Sequence, residues 1–255
     1  MKNTLSKVPQ ITLMFWIAKL ITTGMGESLS DFTFHHFQNT TGDQVRGALI
    51  TFAIFGFLFL ITFIIQMKSK KYHPMIYWIT VAVLALFGTI CSDIVRAATS
   101  LTISSLAFTV LTLLSFTIWH KVTGSLSVHH ISNKKSEFFY WLTVGFSFML
   151  GTAVGDFMDK ILHIDLLTAG LSLGLIMAVF SFINGRLKDS TPAEIITFWL
   201  AYILTRPVGA CLADFFGYIW HHGILGTGVV GLIWLIGFVL SLIYFNLQYK
   251  RKRVN

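Results

Sequence analysis

The chain has 255 residues, of which 55% are hydrophobic and only 12% are charged, and its mean hydropathy is +0.72. This composition excludes an ordinary soluble domain, in which about a quarter of the residues are charged. The formal net charge of +8 does not indicate nucleic-acid binding, because the basic residues lie at the chain ends and in short loops rather than in one patch.

Apolar segments follow one another along the whole chain, and they are too long to be the strands of a membrane barrel. Helices are therefore expected to satisfy the backbone inside the bilayer. The predicted transmembrane helices lie at residues 11–34, 47–66, 75–97, 101–119, 138–161, 166–184, 193–216 and 224–247. The first segment lacks a small-residue cleavage site, so we expect it to be a span and not a signal peptide.

The basic residues predict the orientation of these spans. Those at both termini and in the loops at 68–71, 121–135 and 186–188 fall on one side of an eight-span protein. Arg46, Arg96 and Lys160 fall on the other side. Because positive residues concentrate in cytoplasmic loops, we expect both termini to be cytoplasmic.

A repeat is the strongest signal in the sequence. Each odd-numbered span carries a tryptophan, a glycine ten residues later and an aspartate fifteen residues after the tryptophan. The tryptophans are Trp16, Trp78, Trp141 and Trp199; the glycines are Gly26, Gly88, Gly151 and Gly209; the aspartates are Asp31, Asp93, Asp156 and Asp214. We predict a single transmembrane domain, 1–255, built from two-span repeats at about 10–70, 72–133, 135–189 and 191–250.

This pattern resembles a bacterial family of membrane proteins known as a repeat of unknown function. The resemblance covers roughly residues 10–250 and rests on the tandem two-span repeats with their tryptophans. It implies a multi-pass protein of the bacterial cytoplasmic (inner) membrane. It brings no reaction to this chain.

The repeats predict how the helices are arranged. Two spans per unit make all four units enter the membrane in the same direction, which favours a pseudo-fourfold arrangement of parallel repeats. At 100° per residue, the tryptophan, glycine and aspartate of one span share a face with most of its polar residues. The even spans are apolar nearly all round, so we expect the tryptophan helices inside and the apolar helices outside in an all-α fold.

Aspartates at the same level of four helices predict a ring of carboxylates on the axis. Such rings concentrate cations, and hard oxygen ligands suit divalent ions. The predicted pathway residues are Asp31, Asp93, Asp156, Asp214, Glu27, Thr89 and Thr152. Histidines extend the candidate metal ligands, which are Asp31, His35, Asp93, Asp156, Asp159, His163 and Asp214. The competing interpretation is that the aspartates cap turns or form structural pairs.

Two repeats break the symmetry. Only the first carries Lys19 and Glu27, and only the fourth carries Arg206. In a closed ring these repeats are neighbours, so we predict a Glu27–Arg206 bridge that Lys19 joins, unless Lys19 contacts a backbone carbonyl. Cations at mid-depth argue against an open cation channel and favour a gate. A buried structural bridge is the alternative.

These observations predict a membrane transporter or channel for divalent metal cations or protons. One alternative is a structural or regulatory membrane protein without transport activity, and another is an anion transporter that uses Lys19 and Arg206. We expect no enzymatic activity and no cofactor, with a divalent metal entering only as substrate, and we see no nucleotide-binding loop. The expected partners are the lipid bilayer and a small ion or solute; the oligomeric state stays open.

Overall fold

The computed structural model describes residues 6–254, so part of the basic N terminus used in the topology prediction lies outside the described residues. This part of the chain is helical and contains no strand. Its long helices are α1 (Leu13–Thr41), α2 (Gln44–Lys68), α3 (Pro74–Ala98), α4 (Leu101–Thr123), α5 (Lys134–Lys160), α6 (Leu166–Asn184), α7 (Pro192–Asp214) and α8 (Gly226–Val254). The prediction of an all-α chain with eight long helices is confirmed.

Helices α2 to α8 are each long and apolar enough to cross a membrane, which makes this a membrane protein with transmembrane helices. Helix α1 is the exception among the eight, because polar side chains such as Lys19 and Glu27 lower its hydropathy. Both of these side chains are buried inside the bundle. A polar helix is stable in this position because its neighbours shield it from lipid.

Several helices differ in length from the predicted spans. Helix α1 continues seven residues past the predicted end at 34, as far as Thr41, where Gly42 adopts a left-handed conformation with φ 67° and ends the helix. Helix α7 ends at Asp214 and passes into one π-helical turn, Phe215–Ile219. Apolar composition marks the lipid-crossing part of a helix but not the polar turns that continue it.

The odd helices form the interior. Helix α1 packs on α3, α3 on α5, α5 on α7, and α7 again on α1. The even helices lie outside and pack chiefly on the odd helix of the following repeat: α4 on α5, α6 on α7, and α8 on α1, whereas α2 is shared by α1 and α3. Most side chains of α3, α5 and α7 are buried, whereas only a minority of those of α2, α4, α6 and α8 are buried. The predicted inner and outer layers thus match the observed packing.

The repeat glycines lie where the odd helices come closest. A Cβ atom at each glycine would meet the residue seven positions after the tryptophan of the next repeat, and the last glycine meets the first repeat. The facing pairs are Gly26 with Ala85, Gly88 with Phe148, Gly151 with Arg206, and Gly209 with Thr23. Small residues of this kind let helix backbones approach closely. The same contact therefore recurs at all four junctions between the inner helices.

The two ends of the bundle differ in chemistry. At one end, called here the tryptophan end, the four repeat tryptophans and the aromatic residue before each of them are buried. Those preceding residues are Phe15, Tyr77, Tyr140 and Phe198. At the other end, called the aspartate end, the helices enclose a cavity. The molecule is thus filled at one end and open at the other.

Candidate functional site

A cavity of about 770 Å³ occupies the aspartate end, and the four repeat aspartates all line it. Glu27 and Asp159 also contribute carboxyl groups to the lining, whereas Arg96 and Lys160 are its cationic residues. The aspartates follow the same face of four packed helices, which explains why side chains more than 180 residues apart meet in one space. The cavity wall therefore carries more acidic than basic side chains.

Two of the aspartates are paired with cations. Arg96 bridges the neighbouring carboxylates, with Nη2 3.1 Å from Asp93 Oδ1 and Nη1 2.8 Å from Asp156 Oδ2. Lys160 Nζ lies 2.5 Å from the other oxygen of Asp156. The predicted carboxylate ring is therefore uneven, because the charge of Asp93 and Asp156 is largely compensated within the cavity wall.

The other two aspartates lie next to Glu27. Each of Glu27, Asp31 and Asp214 offers a carboxylate oxygen, and these oxygens lie within 4.8 Å of one another. Tyr218 donates a hydrogen bond of 2.9 Å to Asp31 Oδ2. Three carboxylates at this spacing can surround one hard cation, and in the described structure no arginine or lysine forms an ion pair with Asp31 or Asp214.

A buried ion pair forms the floor of the cavity. Arg206 Nη2 lies 2.6 Å from Glu27 Oε2, and both side chains are almost completely buried. Thr89 Oγ1 and Thr152 Oγ1 lie 3.3 and 3.4 Å from the same oxygen of Glu27. The four inner helices thus each supply one side chain to this cluster, as two charges and two hydroxyl groups.

Arg206 is held by more than its counter-charge. Its Nη2 also donates to Thr89 Oγ1, and its Nη1 donates to the backbone oxygen of Thr23 at 2.9 Å. Gly151 makes room for the stem, because a Cβ at this position would collide with Arg206 Cβ and Cγ. A charged pair at this depth is stable only when such further hydrogen bonds accompany it.

Lys19 differs from the prediction. It neither joins the ion pair nor contacts a carbonyl: its Nζ has no hydrogen-bond partner among the described residues. It lies 4.1 Å from the ring centroid of Phe148 and 3.9 Å from that of Tyr202. The correction has a simple cause, since Lys19 lies two helical turns below Glu27 and meets the aromatic layer instead.

The candidate histidines are only partly brought to the cavity. His35 lines it, and its Nε2 lies 3.2 Å from the hydroxyl of Tyr218. Helix α5 ends at Lys160, and His163 follows it in a left-handed conformation with φ 54°. The spacing of four residues would place Asp159 and His163 on one helix face only if the helix continued, and because α5 ends between them it does not.

Sequence reasoning missed three residues of the site. Arg96, Lys160 and Tyr218 follow repeat aspartates at distances of three, four and four residues. On a helix this spacing places side chains on one face, so the pairs Asp93–Arg96 and Asp156–Lys160 were readable from the sequence. The contact from Tyr218 to Asp31 was not, because it crosses from the α7 end to α1.

The tryptophan end is closed by a second buried ion pair. Lys7 Nζ contacts Glu137 Oε2, and Gln66 Nε2 donates to Glu137 Oε1 at 2.9 Å. Ser6, Lys7 and Val8 are all buried. The segment before α1 therefore lies across this end of the bundle and fixes it to the first turn of α5.

Comparison with known proteins rests on the repeat. The family described as Repeat of Unknown Function (DUF347) matches residues 14–72, 139–187 and 197–253, which together make up more than half of the chain. The chain belongs to this family. No curated protein and no solved structure matches it.

The three matched segments of this DUF347 chain begin near α1, α5 and α7. The segment between the first two matches holds α3 and α4, and it carries Trp78, Gly88 and Asp93 at the spacing of the other repeats. Its helix α3 occupies the place in the inner ring between α1 and α5. The chain thus contains internal repeats, and the family resemblance derived from the sequence is confirmed.

Proposed function

We propose that the protein is a membrane transporter or channel for small cations, either divalent metal ions or protons. These cations would enter the protein through the cavity at the aspartate end. The observation that carries this proposal is the cavity itself, because carboxyl groups from all four repeats line one space inside a membrane protein. Acidic side chains at membrane depth are costly and typically mark ion pathways. A cavity of this sign concentrates cations and repels anions.

A divalent ion fits the free part of the wall better than a monovalent one. The oxygens of Glu27, Asp31 and Asp214 are close enough to share one ion. Three carboxylates with Arg206 as the only cation paired to them in the described structure favour an ion of high positive charge, and oxygen ligands suit Mn²⁺, Mg²⁺ or Ca²⁺. His35 lies on the cavity wall and adds a nitrogen donor that suits Mn²⁺, Fe²⁺ or Zn²⁺.

The Glu27–Arg206 pair serves as the gate. An ion bound between Glu27, Asp31 and Asp214 competes with Arg206 for the same carboxylate. Arg206 then loses its counter-charge, which destabilises this arrangement of the inner helices and favours a different one. Below this level the axis is filled by Lys19 and buried aromatic rings, so the structure corresponds to a state open only at the aspartate end.

We also propose a pseudo-fourfold arrangement of the repeats, which is supported by the glycine contact at each junction and by the aspartate that each repeat contributes. Following the positive residues, the aspartate end faces the outside and both termini face the cytoplasm of a bacterium whose inner membrane holds the protein. In this proposal the inner helices change conformation during transport, whereas the outer helices face the lipid.

The structural or regulatory alternative has one observation in its favour. Arg96 and Lys160 pair with Asp93 and Asp156, which is how a packing device would satisfy buried carboxylates. The anion-transporter alternative fares worse, since Arg206 is occupied by Glu27 and Lys19 lies between aromatic rings below it. We therefore expect cation transport through the unpaired carboxylates.

The test is flux into proteoliposomes that contain a divalent-sensitive dye and a pH dye, offered Mn²⁺, Fe²⁺, Zn²⁺, Co²⁺, Mg²⁺ or Ca²⁺. The decisive variant is Asp31→Asn with Asp214→Asn, which neutralises the two unpaired aspartates. We expect a cation signal with the natural chain and its loss in this variant. Equal flux in both would exclude these carboxylates as the pathway.

A matched control is available outside the cavity. Asp165 caps α6 by accepting a hydrogen bond from Thr168 N, and it is not part of the cavity wall. Asp165→Asn removes the same charge and keeps a good cap, so its flux should equal that of the natural chain. Silence for every ion with intact folded protein would favour the structural alternative.

A further inference from the structure

Lys19 is an amine buried in the centre of a membrane bundle without a hydrogen bond. Its contacts are the faces of Phe148 and Tyr202, which stabilise an ammonium ion by cation–π interaction. Such a charge remains expensive when no acceptor satisfies its N–H groups. A methionine or leucine would fill the same volume at lower cost, so packing does not explain the lysine.

A row of tyrosine hydroxyl groups begins beside Lys19. The hydroxyl oxygens of Tyr202 and Tyr140 lie 3.5 Å apart, and those of Tyr140 and Tyr77 lie 2.6 Å apart. All three side chains are buried. The ring of Tyr77 contacts that of Tyr72, 5.9 Å away between centroids, and Tyr72 is partly exposed in the loop before α3. The row of hydroxyls thus runs from beside Lys19 to Tyr77, whose ring contacts the partly exposed Tyr72 at the tryptophan end.

We propose that Lys19 and the hydroxyls of Tyr202, Tyr140 and Tyr77 form a proton path that couples cation binding in the cavity to proton release at the tryptophan end. Each hydroxyl is both a donor and an acceptor, so it takes up one proton and passes on its own. Lys19 starts as the ammonium and ends as the neutral amine, every tyrosine ends neutral, and one proton leaves beyond Tyr77.

The first transfer needs only a side-chain motion. Lys19 Nζ lies over the face of the Tyr202 ring, whose edge carries the hydroxyl. Rotation about the last bonds of the lysine moves the ammonium from the ring face towards that oxygen. The reverse motion reloads Lys19, so no oxidant, reductant or second substrate is required.

Arg206 supplies the coupling. It is the charged side chain above Lys19. The titratable group that contacts Lys19 is Tyr202, whose hydroxyl leads on to those of Tyr140 and Tyr77. Helices α2 and α8 carry no charged side chain between their end turns. While Glu27 neutralises Arg206, the ammonium of Lys19 is tolerated. Once a metal ion binds Glu27, the charge of Arg206 is no longer balanced. Arg206 then repels the ammonium group of Lys19, which loses its proton.

This coupling rests on the proposed cation function, and the first experiment tests the two together. Mn²⁺ is added to purified protein in weakly buffered detergent, and bound Mn²⁺ and released protons are counted. We expect the natural chain to release about one more proton per Mn²⁺ than Lys19→Met, with Mn²⁺ binding kept in both. Equal proton release in the two proteins would overturn the coupling. Methionine removes no hydrogen bond, so the variant is expected to fold, and thermal unfolding checks this.

The second experiment tests the tyrosine hydroxyls through the rate of proton release. Mn²⁺ is mixed rapidly with the purified protein, and the released protons are followed with a pH dye. We expect equally fast release from the natural chain and from the control Tyr244→Phe, which changes an exposed tyrosine of α8. Tyr140→Phe should release the proton several-fold more slowly, since it breaks the path between Tyr202 and Tyr77.

The two experiments separate the failures. Mn²⁺ binding without a lysine-dependent proton, together with no difference for Tyr140→Phe, would overturn the proton path and leave the cation function standing. A lysine-dependent proton that leaves Tyr140→Phe as fast as the natural chain would overturn the tyrosine path and keep the coupling between Mn²⁺ and Lys19. Absence of both signals in folded protein would overturn both proposals.

Discussion

Arg206 of α7 donates to Glu27 of α1 across 2.6 Å in the centre of the bundle, although 178 intervening positions separate them in the sequence. The first and last repeats meet at this contact and close the ring of inner helices. The pair is buried and lies under a carboxylate-lined cavity, so it joins the first and last repeats, and under the proposed function it would compete with a bound cation for Glu27.

Removing one charge of this pair should destabilise the protein strongly. Glu27→Gln leaves Arg206 buried without a counter-charge, and breaking buried pairs in this way costs about 3–5 kcal/mol. The double variant Glu27→Gln with Arg206→Met should recover much of this loss, because neither charge is then left alone. Thermal unfolding in detergent is measured for the natural chain, for Glu27→Gln, for Arg206→Met and for the double variant. A double variant as unstable as the sum of the single changes would contradict the pairing.

Adding a methyl group at Gly151 should disturb the same pair. A Cβ there would collide with Arg206 Cβ and Cγ and lie 2.9 Å from Pro207 Cδ. We expect Gly151→Ala to lower stability by about 1–3 kcal/mol through overpacking. Gly145→Ala is the control in the same helix, because its nearest neighbour would be Leu84 Cδ1 at 3.7 Å.

The control at Gly145 should be neutral or stabilising, since alanine is favoured over glycine inside helices by about 1 kcal/mol. Unfolding temperature and the metal flux described above are measured for both variants. Equal unfolding temperatures and equal flux for Gly151→Ala and Gly145→Ala would show that the close contact between Arg206 and α5 is not needed for stability or transport.

Neutralising Arg96 should increase the affinity of the cavity for cations. Its guanidinium pairs with Asp93 and Asp156, so Arg96→Gln makes the wall more negative by one charge. We expect Mn²⁺ to bind about three- to tenfold more tightly at low salt, with a smaller gain at high salt. Calorimetric titration measures this affinity.

Arg46→Gln is the matched control for that change. Arg46 is exposed, contacts Asp43 at 3.7 Å and lies outside the cavity wall. Its removal alters the net charge by the same amount without touching the cavity. An affinity gain of similar size in both variants would mean that overall charge, and not the local pairing, sets cation binding.

Loss of the second buried pair should loosen the tryptophan end. Glu137→Gln removes the partner of Lys7, so the segment that crosses this end loses its charged contact. We expect a cysteine introduced at Val8, which is buried in the structure, to react with a maleimide several-fold faster in this variant. Lys135→Gln, an exposed change in the same turn, should leave the rate unchanged.

That labelling experiment requires the two natural cysteines, Cys91 and Cys211, to be replaced by serine and alanine. Unchanged reactivity at position 8 after Glu137→Gln would show that apolar burial alone holds the segment. The result also decides whether the tryptophan end is a second gate or a fixed closure.

The sequence by itself determined the helical class, the number of long helices and the assignment of inner and outer layers. Hydropathy marks spans because the bilayer leaves the backbone no other way to satisfy its polar groups. The spacing of Trp16, Gly26 and Asp31, repeated four times, placed these residues on one helical face. The break in symmetry at Glu27 and Arg206 was enough to predict their contact, since only adjacent repeats can pair unmatched charges.

The tertiary structure alone decided which of the repeated residues are equivalent. Four aspartates look alike in the sequence, yet Arg96 compensates Asp93 and Asp156, whereas Asp31 and Asp214 have no arginine or lysine partner in the described structure. Lys19 meets aromatic rings instead of the ion pair, because its reach from α1 depends on which side chains α5 and α7 present at its level. The repeat determines the level of a residue along the bundle axis and the helix face on which it lies. Its contact partner depends on the side chains of the neighbouring helices, which differ from repeat to repeat.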